Sequence, residues 1–356
     1  MGGMLAASLL LLTAPEDPFD PGPNPLLMRH PTMNATTVVF SFAGDLWSVP
    51  REGGSAVRLT TSEGIESDPY FSPDGKTIAF SGQYDGNTDV FTIPAEGGVP
   101  KRLTAHPAPD TAVGWTPDGK SVLISSSMIS NTDYPRLFTV AATGGVPRAL
   151  PFPAGVQGSM SPDGQRIAYV PNGKWQQAWK RYRGGQAAPI WVAQMSDSKW
   201  KAVPRGEEDC QDPMWVGDSI YYRSDPNGIM GLRRYDVASG KSSDVIKGEG
   251  FDIKSASAGP GGIVYEKLGS IWLYDLNAKT STRLSVEVKG DYPEVRPAFK
   301  SLAPYIEGGN VSPSGQRLVF AARGMIFTVP ASKGDARVLG EDQGVHRRSP
   351  AWSPDG

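Results

Sequence analysis

The sequence predicts an all-β chain: a six-bladed β-propeller of four-stranded antiparallel blades, followed by an incomplete start of a second propeller. Three observations carry this. Ser72-Pro73-Asp74-Gly75 recurs as Thr116-Pro117-Asp118-Gly119 and Ser161-Pro162-Asp163-Gly164, at spacings of 44 and 45 residues. Arg58-Leu59-Thr60 returns 44 residues later as Arg102-Leu103-Thr104, and the pairs Gly53-Gly54, Gly97-Gly98 and Gly144-Gly145 keep similar step. Gly 42 and Pro 32 make about a fifth of the 356 residues, which disfavours long helices. A fixed period of this length is the signature of repeated supersecondary units.

Each unit spells a short meander. Proline presets φ, aspartate bonds its own backbone, and glycine takes the positive φ that closes a tight reversal, so Ser-Pro-Asp-Gly marks a turn between strands. Tyr70-Phe71 before the turn, Thr77-Ile78-Ala79-Phe80 after it and Asp89-Val90-Phe91-Thr92-Ile93 beyond are β-branched and aromatic runs. A strand ending in Arg102-Leu103-Thr104 completes four.

In chain order, residues 1–25 read as a leader and a Pro-rich tether. The apolar run Met4 to Ala14 has the length of a secretory h-region and is too short to span a bilayer as a helix. Its flank Met1-Gly2-Gly3 lacks Lys and Arg. An exported, periplasmic protein with a signal peptide and a cytoplasmic one with a plain leader therefore stand side by side. Residues 26–290 read as the propeller. Unit one, about Met28 to Thr60, lacks the Pro-Asp-Gly turn but keeps Asp45-Leu46-Trp47. Unit four carries an insertion from Lys174 to Ala188 before Ile190-Trp191-Val192. Unit five has Asp212-Pro213-Met214-Trp215, and unit six Ser270-Ile271-Trp272-Leu273-Tyr274. Residues 291–356 read as a connector and the first blade or blades of a truncated second propeller, with a fresh unit at Ser312-Pro313-Ser314-Gly315. Because Ser353-Pro354-Asp355-Gly356 stops in the middle of a hairpin turn, a longer parent polypeptide is expected.

Lys+Arg 35 against Asp+Glu 37 gives a net charge of −2, which argues against nucleic acid as a partner. With one cysteine, Cys210, no internal disulfide or cysteine zinc site can form. His30, His106 and His346 lie far apart, the first two before proline in what read as loops. No Gly-x-Ser-x-Gly elbow, His-Glu-x-x-His or phosphate-cradling loop occurs, so no catalytic residue, cofactor or metal is assigned. Cys210 reads as a small packing residue, and the Pro-Asp-Gly aspartates as structural. The insertion gathers aromatic and cationic groups at Trp175, Trp179, Lys180, Arg181, Tyr182 and Arg183. Such a loop meets either a peptide, guanidinium fork on carboxylate, or neighbouring domains.

The Ser-Pro-Asp-Gly units resemble the propeller repeats of periplasmic TolB proteins and of several peptidases. Trp179-Lys180-Arg181-Tyr182-Arg183-Gly184-Gly185, followed by Ile190-Trp191, more closely resembles a stretch at the same place in blade four of the tricorn protease family. Asp45-Leu46-Trp47 and Lys267-Leu268-Gly269-Ser270-Ile271 agree with it as well. The resemblance implies a part of a large serine peptidase built from a six-bladed propeller, a seven-bladed propeller and C-terminal catalytic segments flanking a PDZ-like domain. In that family the nucleophilic serine and catalytic histidine lie in those segments, and the propellers channel and filter peptides. The expected partners are peptides and the PDZ-like and catalytic domains, with homo-oligomers in the full-length protein and no membrane span. This chain alone is expected to be inactive. Family members also hold a peptide carboxylate with adjacent arginines between blades two and three; Ala105 to Asp110 contains none, so the resemblance does not carry that anchor over. The alternative function is a TolB-like, non-catalytic binding propeller of the cell envelope.

Overall fold

The computed structural model describes residues 26–131, 134–173, 180, 182–290, 299, 301–340 and 345–356. Two compact units result, Met1–Asp291 and Tyr292–Gly356. Among the described residues the single helical turn is the 3-10 segment Ala303–Tyr305.

The first unit holds six sheets. Blade 1 consists of β1 (Arg29–Met33), β2 (Thr37–Phe42), β3 (Asp45–Pro50) and β4 (Gly54–Arg58), and blade 2 of β5 (Glu66–Phe71), β6 (Thr77–Gly82), β7 (Asp89–Pro94) and β8 (Lys101–Arg102). Blade 3 comes next with β9 (Asp110–Trp115), β10 (Ser121–Ser126), β11 (Arg136–Ala141) and β12 (Arg148–Ala149). Blade 4 has β13 (Gln157–Met160), β14 (Arg166–Val170), β15 (Trp191–Gln194) and β16 (Trp200–Ala202). Blade 5 is built from β17 (Cys210–Val216), β18 (Ser219–Ser224), β19 (Gly231–Asp236) and β20 (Lys241–Ile246). Blade 6 comprises β21 (Ile253–Gly259), β22 (Gly262–Lys267), β23 (Ser270–Asp275) and β24 (Ser281–Arg283). The first strand of every blade touches the first strand of the next, and β21 returns to β1, so the inner strands form a closed ring.

Successive side chains on a strand point to opposite faces, so both faces of each blade are buried against neighbours and the core lies between blades. Val39 and Leu46 of blade 1 pack with Ile78, Phe80 and Ile93 of blade 2. Val113, Leu123 and Leu137 of blade 3 meet Ile167 and Tyr169 of blade 4 in the same manner.

The repeated motifs have local physical causes. In the Ser-Pro-Asp-Gly turn of blade 2, the Ser72 hydroxyl donates to Asp74 Oδ1 at 2.6 Å and accepts Thr77 N–H at 3.0 Å. Gly75 closes the turn at φ +70. Blades 3 and 4 repeat these bonds at Thr116–Asp118 and Ser161–Asp163. The aspartates of these turns are structural. The Arg-Leu-Thr triplet clips the outer strand to its neighbour: Arg58 pairs with Asp45 while Leu46 N–H donates to Thr60 Oγ1 at 2.9 Å. In blade 2 Arg102 pairs with Asp89, and Val90 N–H donates to Thr104 Oγ1 at 3.0 Å.

Blade 1 gains a fifth strand that the four-strand repeat does not announce. β25 (Val286–Val288) runs parallel to β4, with Val286 opposite Gly54 and Val288 opposite Ala56. Gly53 makes this approach feasible: at φ +92, a Cβ on it would lie 2.5 Å from the Ser285 carbonyl oxygen.

The second unit contains one four-stranded antiparallel sheet, β26 (Ile306–Val311), β27 (Arg317–Ala322), β28 (Met325–Pro330) and β29 (Arg337–Leu339). Its first turn repeats the blade chemistry, with Gly315 N–H donating to Ser312 O at 2.8 Å and Arg317 N–H to Ser312 Oγ at 3.1 Å.

Candidate functional site: the lumen of the propeller

The inner strands enclose a lumen that is wide at one end and narrow at the other. The wide end is a cavity of about 480 Å³ whose wall includes Met33, Tyr70, Trp115, Met214 and Trp215. The narrow end, about 110 Å³, is lined by His30, Asp68, Gln157, Asp212, Arg223 and Lys254. Tyr70, Gln157, Asp212, Ala256 and Ser257 border both cavities, so the two adjoin across these residues.

The narrow end owes its chemistry to a repeated irregularity in the inner strands. β1, β5 and β17 each bulge, between Arg29 and Thr32, Ser67 and Tyr70, and Gln211 and Met214. In each bulge a polar residue stands directly before proline: His30-Pro31, Asp68-Pro69 and Asp212-Pro213. All three take left-handed backbone angles, φ 47 at His30, 51 at Asp68 and 48 at Asp212. A non-glycine residue held there costs about 1–3 kcal/mol and persists where its surroundings over-determine it. The bulge turns each side chain toward the adjoining blade, as its bonds show. His30 Nδ1 lies 3.0 Å from Asp68 Oδ1, which links blades 1 and 2. Gln157 Nε2 donates to Asp212 Oδ1 at 2.6 Å and Asp212 N–H returns a bond to Gln157 Oε1 at 2.9 Å, linking blades 4 and 5. Asp212 Oδ2 takes Arg223 Nε at 2.6 Å and Ala256 N–H at 3.1 Å, reaching blade 6. Glu266 of blade 6 accepts the Ser255 hydroxyl at 2.9 Å and His30 N–H at 3.4 Å, which links blade 6 to blade 1.

Burial acts to lower the His30 pKa, but the hydrogen bond and charge of Asp68, with Glu266 and Asp212 behind, outweigh it and raise the imidazole above its ordinary value. Asp68 moves the opposite way: burial would raise its carboxyl, and the bonds from His30 and Ser67 bring it below its usual range. The expectation that His30 sits in a loop is corrected here. It belongs to β1, because the bulge absorbs the proline without ending the strand. Motif reasoning weighed His30 only as a loop histidine and Asp212 only as a blade marker, and it passed over Asp68 and Arg223; the signal was the X-Pro dipeptide at the same place in three units.

The insertion connects β14 to β15. Trp175, Trp179 and Arg181 lie outside the described residues. Lys180 Nζ bonds Asp252 Oδ2 at 2.8 Å, just ahead of β21, and Arg183 Nη2 reaches the Asp225 carboxylate at 3.0 Å and its carbonyl at 3.1 Å. Asp225 also accepts Asp209 N–H at 2.9 Å, and Asp209 accepts Ala188 N–H at 2.8 Å. The described part of the loop is thus tied to blades 5 and 6, beside the narrow end. Arg183 spends its fork on Asp225. Tyr182 is 37% exposed, and Gly184 permits its position, since a Cβ there would fall 2.4 Å from the Tyr182 hydroxyl.

Other chemistry-bearing residues are quiet. Cys210 is buried and its thiol is pushed up to about 12 by that burial, as an inert packing residue requires. His106 accepts Ala108 N–H through Nδ1 at 3.0 Å. Among the described residues no three His, Cys, Asp or Glu cluster to hold a metal, and no helix is long and apolar enough to cross a membrane.

Comparison with known proteins agrees with this architecture. A tricorn protease homolog of Streptomyces coelicolor is 29% identical over 335 residues, covering 92% of this chain and 31% of its own length. A tricorn protease homolog of Saccharolobus solfataricus is 23% identical over 336 residues, covering 92% and 30%. The chain therefore spans about a third of the length of the curated relatives it matches. The crystal structure of the tricorn protease superposes with a TM-score of 0.68 at 20% identity, over 90% of this chain and 32% of that one, which supports the fold. The model of the tricorn protease N-terminal β-propeller domain matches residues 25–280, most of the ring just described, and the chain belongs to that family.

Proposed function

We propose that this chain is the N-terminal propeller of a tricorn-like serine peptidase, a conduit for peptides and a scaffold for catalytic segments carried elsewhere in the longer protein. The observation that carries this reading is the pair of adjoining cavities inside the ring of inner strands, the wider one walled by Tyr70, Trp115 and Trp215 and the narrower one by charged side chains. Inner-strand edges and aromatic walls suit an extended peptide, which needs backbone partners and apolar contact along its length. In this reading the chain supplies passage and leaves bond cleavage to the catalytic segments. Residues 26–290 form the propeller, and residues 291–356 begin a second one whose first blade is the sheet β26–β29. Trp179, Lys180, Arg181, Tyr182 and Arg183 are the candidate substrate or interdomain contacts; of the described ones, Lys180 and Arg183 fix the loop through Asp252 and Asp225.

The test is direct. The 356-residue chain should show no turnover of fluorogenic peptides, while a short unlabelled peptide should shift the NMR resonances of Tyr70 and Trp115. Cleavage abolished by a substitution within the chain, or lumen resonances that no peptide moves, would overturn the reading.

A further inference from the structure

The narrow end carries an arrangement that a passive conduit does not need. Three residues of the inner ring are held in left-handed conformations before proline, and the strain aims each polar side chain at the adjoining blade. Six charged groups face one another there: His30 from β1, Asp68 from β5, Asp212 and Arg223 from blade 5, and Lys254 and Glu266 from blade 6. The Tyr70 phenol borders them too, raised by burial, and stays protonated. Resting on the reading of the lumen as a peptide conduit, we propose that this ring is a proton-switched charge filter. In it His30 decides whether the narrow end is neutral or carries one net negative charge.

The geometry assigns the switch to His30. With His30 protonated, the cations His30, Arg223 and Lys254 match the anions Asp68, Asp212 and Glu266, and the Lys180–Asp252 pair beside Lys254 adds no net charge. Loss of one proton to solvent leaves two cations against three anions among the six. Arg223 is fixed by Asp212, the Ile253 carbonyl at 2.9 Å and Gln211 at 2.8 Å, and a guanidinium so held offers no second switch. Lys254 is 63% exposed at the rim and 3.4 Å from Asp252. His30 holds Asp68 through Nδ1 and has its side chain 40% exposed, within reach of protons and of a passing peptide. Asp68, Glu266 and Asp212 hold the imidazolium above the ordinary histidine value, so the change of charge falls above pH 6.5. Above that point the ring favours a lysine or arginine side chain; below it the preference disappears.

The experiment compares two blocked peptides, N-acetyl-Ala-Lys-Ala amide and N-acetyl-Ala-Gln-Ala amide, titrated into the 356-residue chain at pH 5.5 and pH 8.5 and followed by NMR shifts. The lysine peptide should bind about tenfold more tightly at the higher pH, the scale of one unit charge at contact distance in a partly solvated site, and the glutamine peptide should bind equally at both. His30→Asn, which removes the proton switch and tolerates the left-handed backbone, should make lysine-peptide binding independent of pH. The His30 ring protons of the unaltered chain should titrate above pH 6.5, and Asp68→Asn should lower that midpoint. Equal binding of both peptides at both pH values, or a His30 midpoint at or below 6.5, overturns the filter and leaves the conduit standing. No binding of either peptide at either pH overturns the conduit and the filter together.

Discussion

Glu66 offers the sharpest quantitative test of the fold's electrostatics. It opens β5 almost wholly buried, at 1% exposure, and its carboxyl accepts the Tyr84 hydroxyl at 2.6 Å and the Thr60 hydroxyl at 3.0 Å. Burial pushes its pKa from 4.5 up to about 7; the Tyr84 and Thr60 bonds oppose this, and the Asp45 carboxylate adds to it. The folded state therefore binds a proton that the unfolded chain releases between these two values. Stability contributed by that proton is fully present below pH 4.5 and is lost as pH rises through 7. At about 1.4 kcal/mol per unit the loss is about 3 kcal/mol, on the order of 6–12 °C in melting temperature for a domain of this size. Glu66→Gln keeps the shape and removes the titration. Calorimetric melts of both proteins at pH 4.5 and 7.5 should show a smaller decline for the variant, and the variant should be the more stable of the two at pH 7.5. Equal declines in the two proteins, or a Glu66 carboxyl titrating near 4.5 in the folded state, would refute the reasoning.

Gly53→Ala should lower propeller stability by about 1–3 kcal/mol in urea titrations, because a Cβ at φ +92 meets the Ser285 carbonyl and displaces β25. Arg102→Met should cost about 3 kcal/mol, since Asp89, 1% exposed, keeps a charge without its guanidinium partner; an unchanged urea midpoint would show that the clip adds nothing. Arg183→Ala should speed proteolysis within the blade 4 insertion at least severalfold and also lower the melting temperature of the ring, because Asp225, 1% exposed, loses the guanidinium that ties the loop to blade 5.

Features written in local chemistry were legible in the sequence. The Ser-Pro-Asp-Gly turns need proline, aspartate and glycine at fixed offsets, and Arg-Leu-Thr needs its partner Asp a fixed distance upstream, so a period of about 44 residues exposed both. Long-range pairings left no such trace. β25 joins β4 through backbone bonds between segments more than 230 residues apart, and Val286-Glu287-Val288 alone does not say which edge it will find. The insertion's cations were visible as Lys180 and Arg183, but their partners Asp252 and Asp225 come from other blades. His30 was misplaced because proline ordinarily interrupts a strand, whereas a bulge lets β1 keep both the proline and its pairing with β2.

The parallel seating of β25 also fixes how the ring is mechanically coupled to the polypeptide leaving it. After completing blade 6, the chain crosses to the outer rim of blade 1 and departs from there at Val288, alongside β4. The last blade and the first are thus strapped by one continuous segment, and opening the hoop at this seam requires breaking the backbone bonds between β25 and β4.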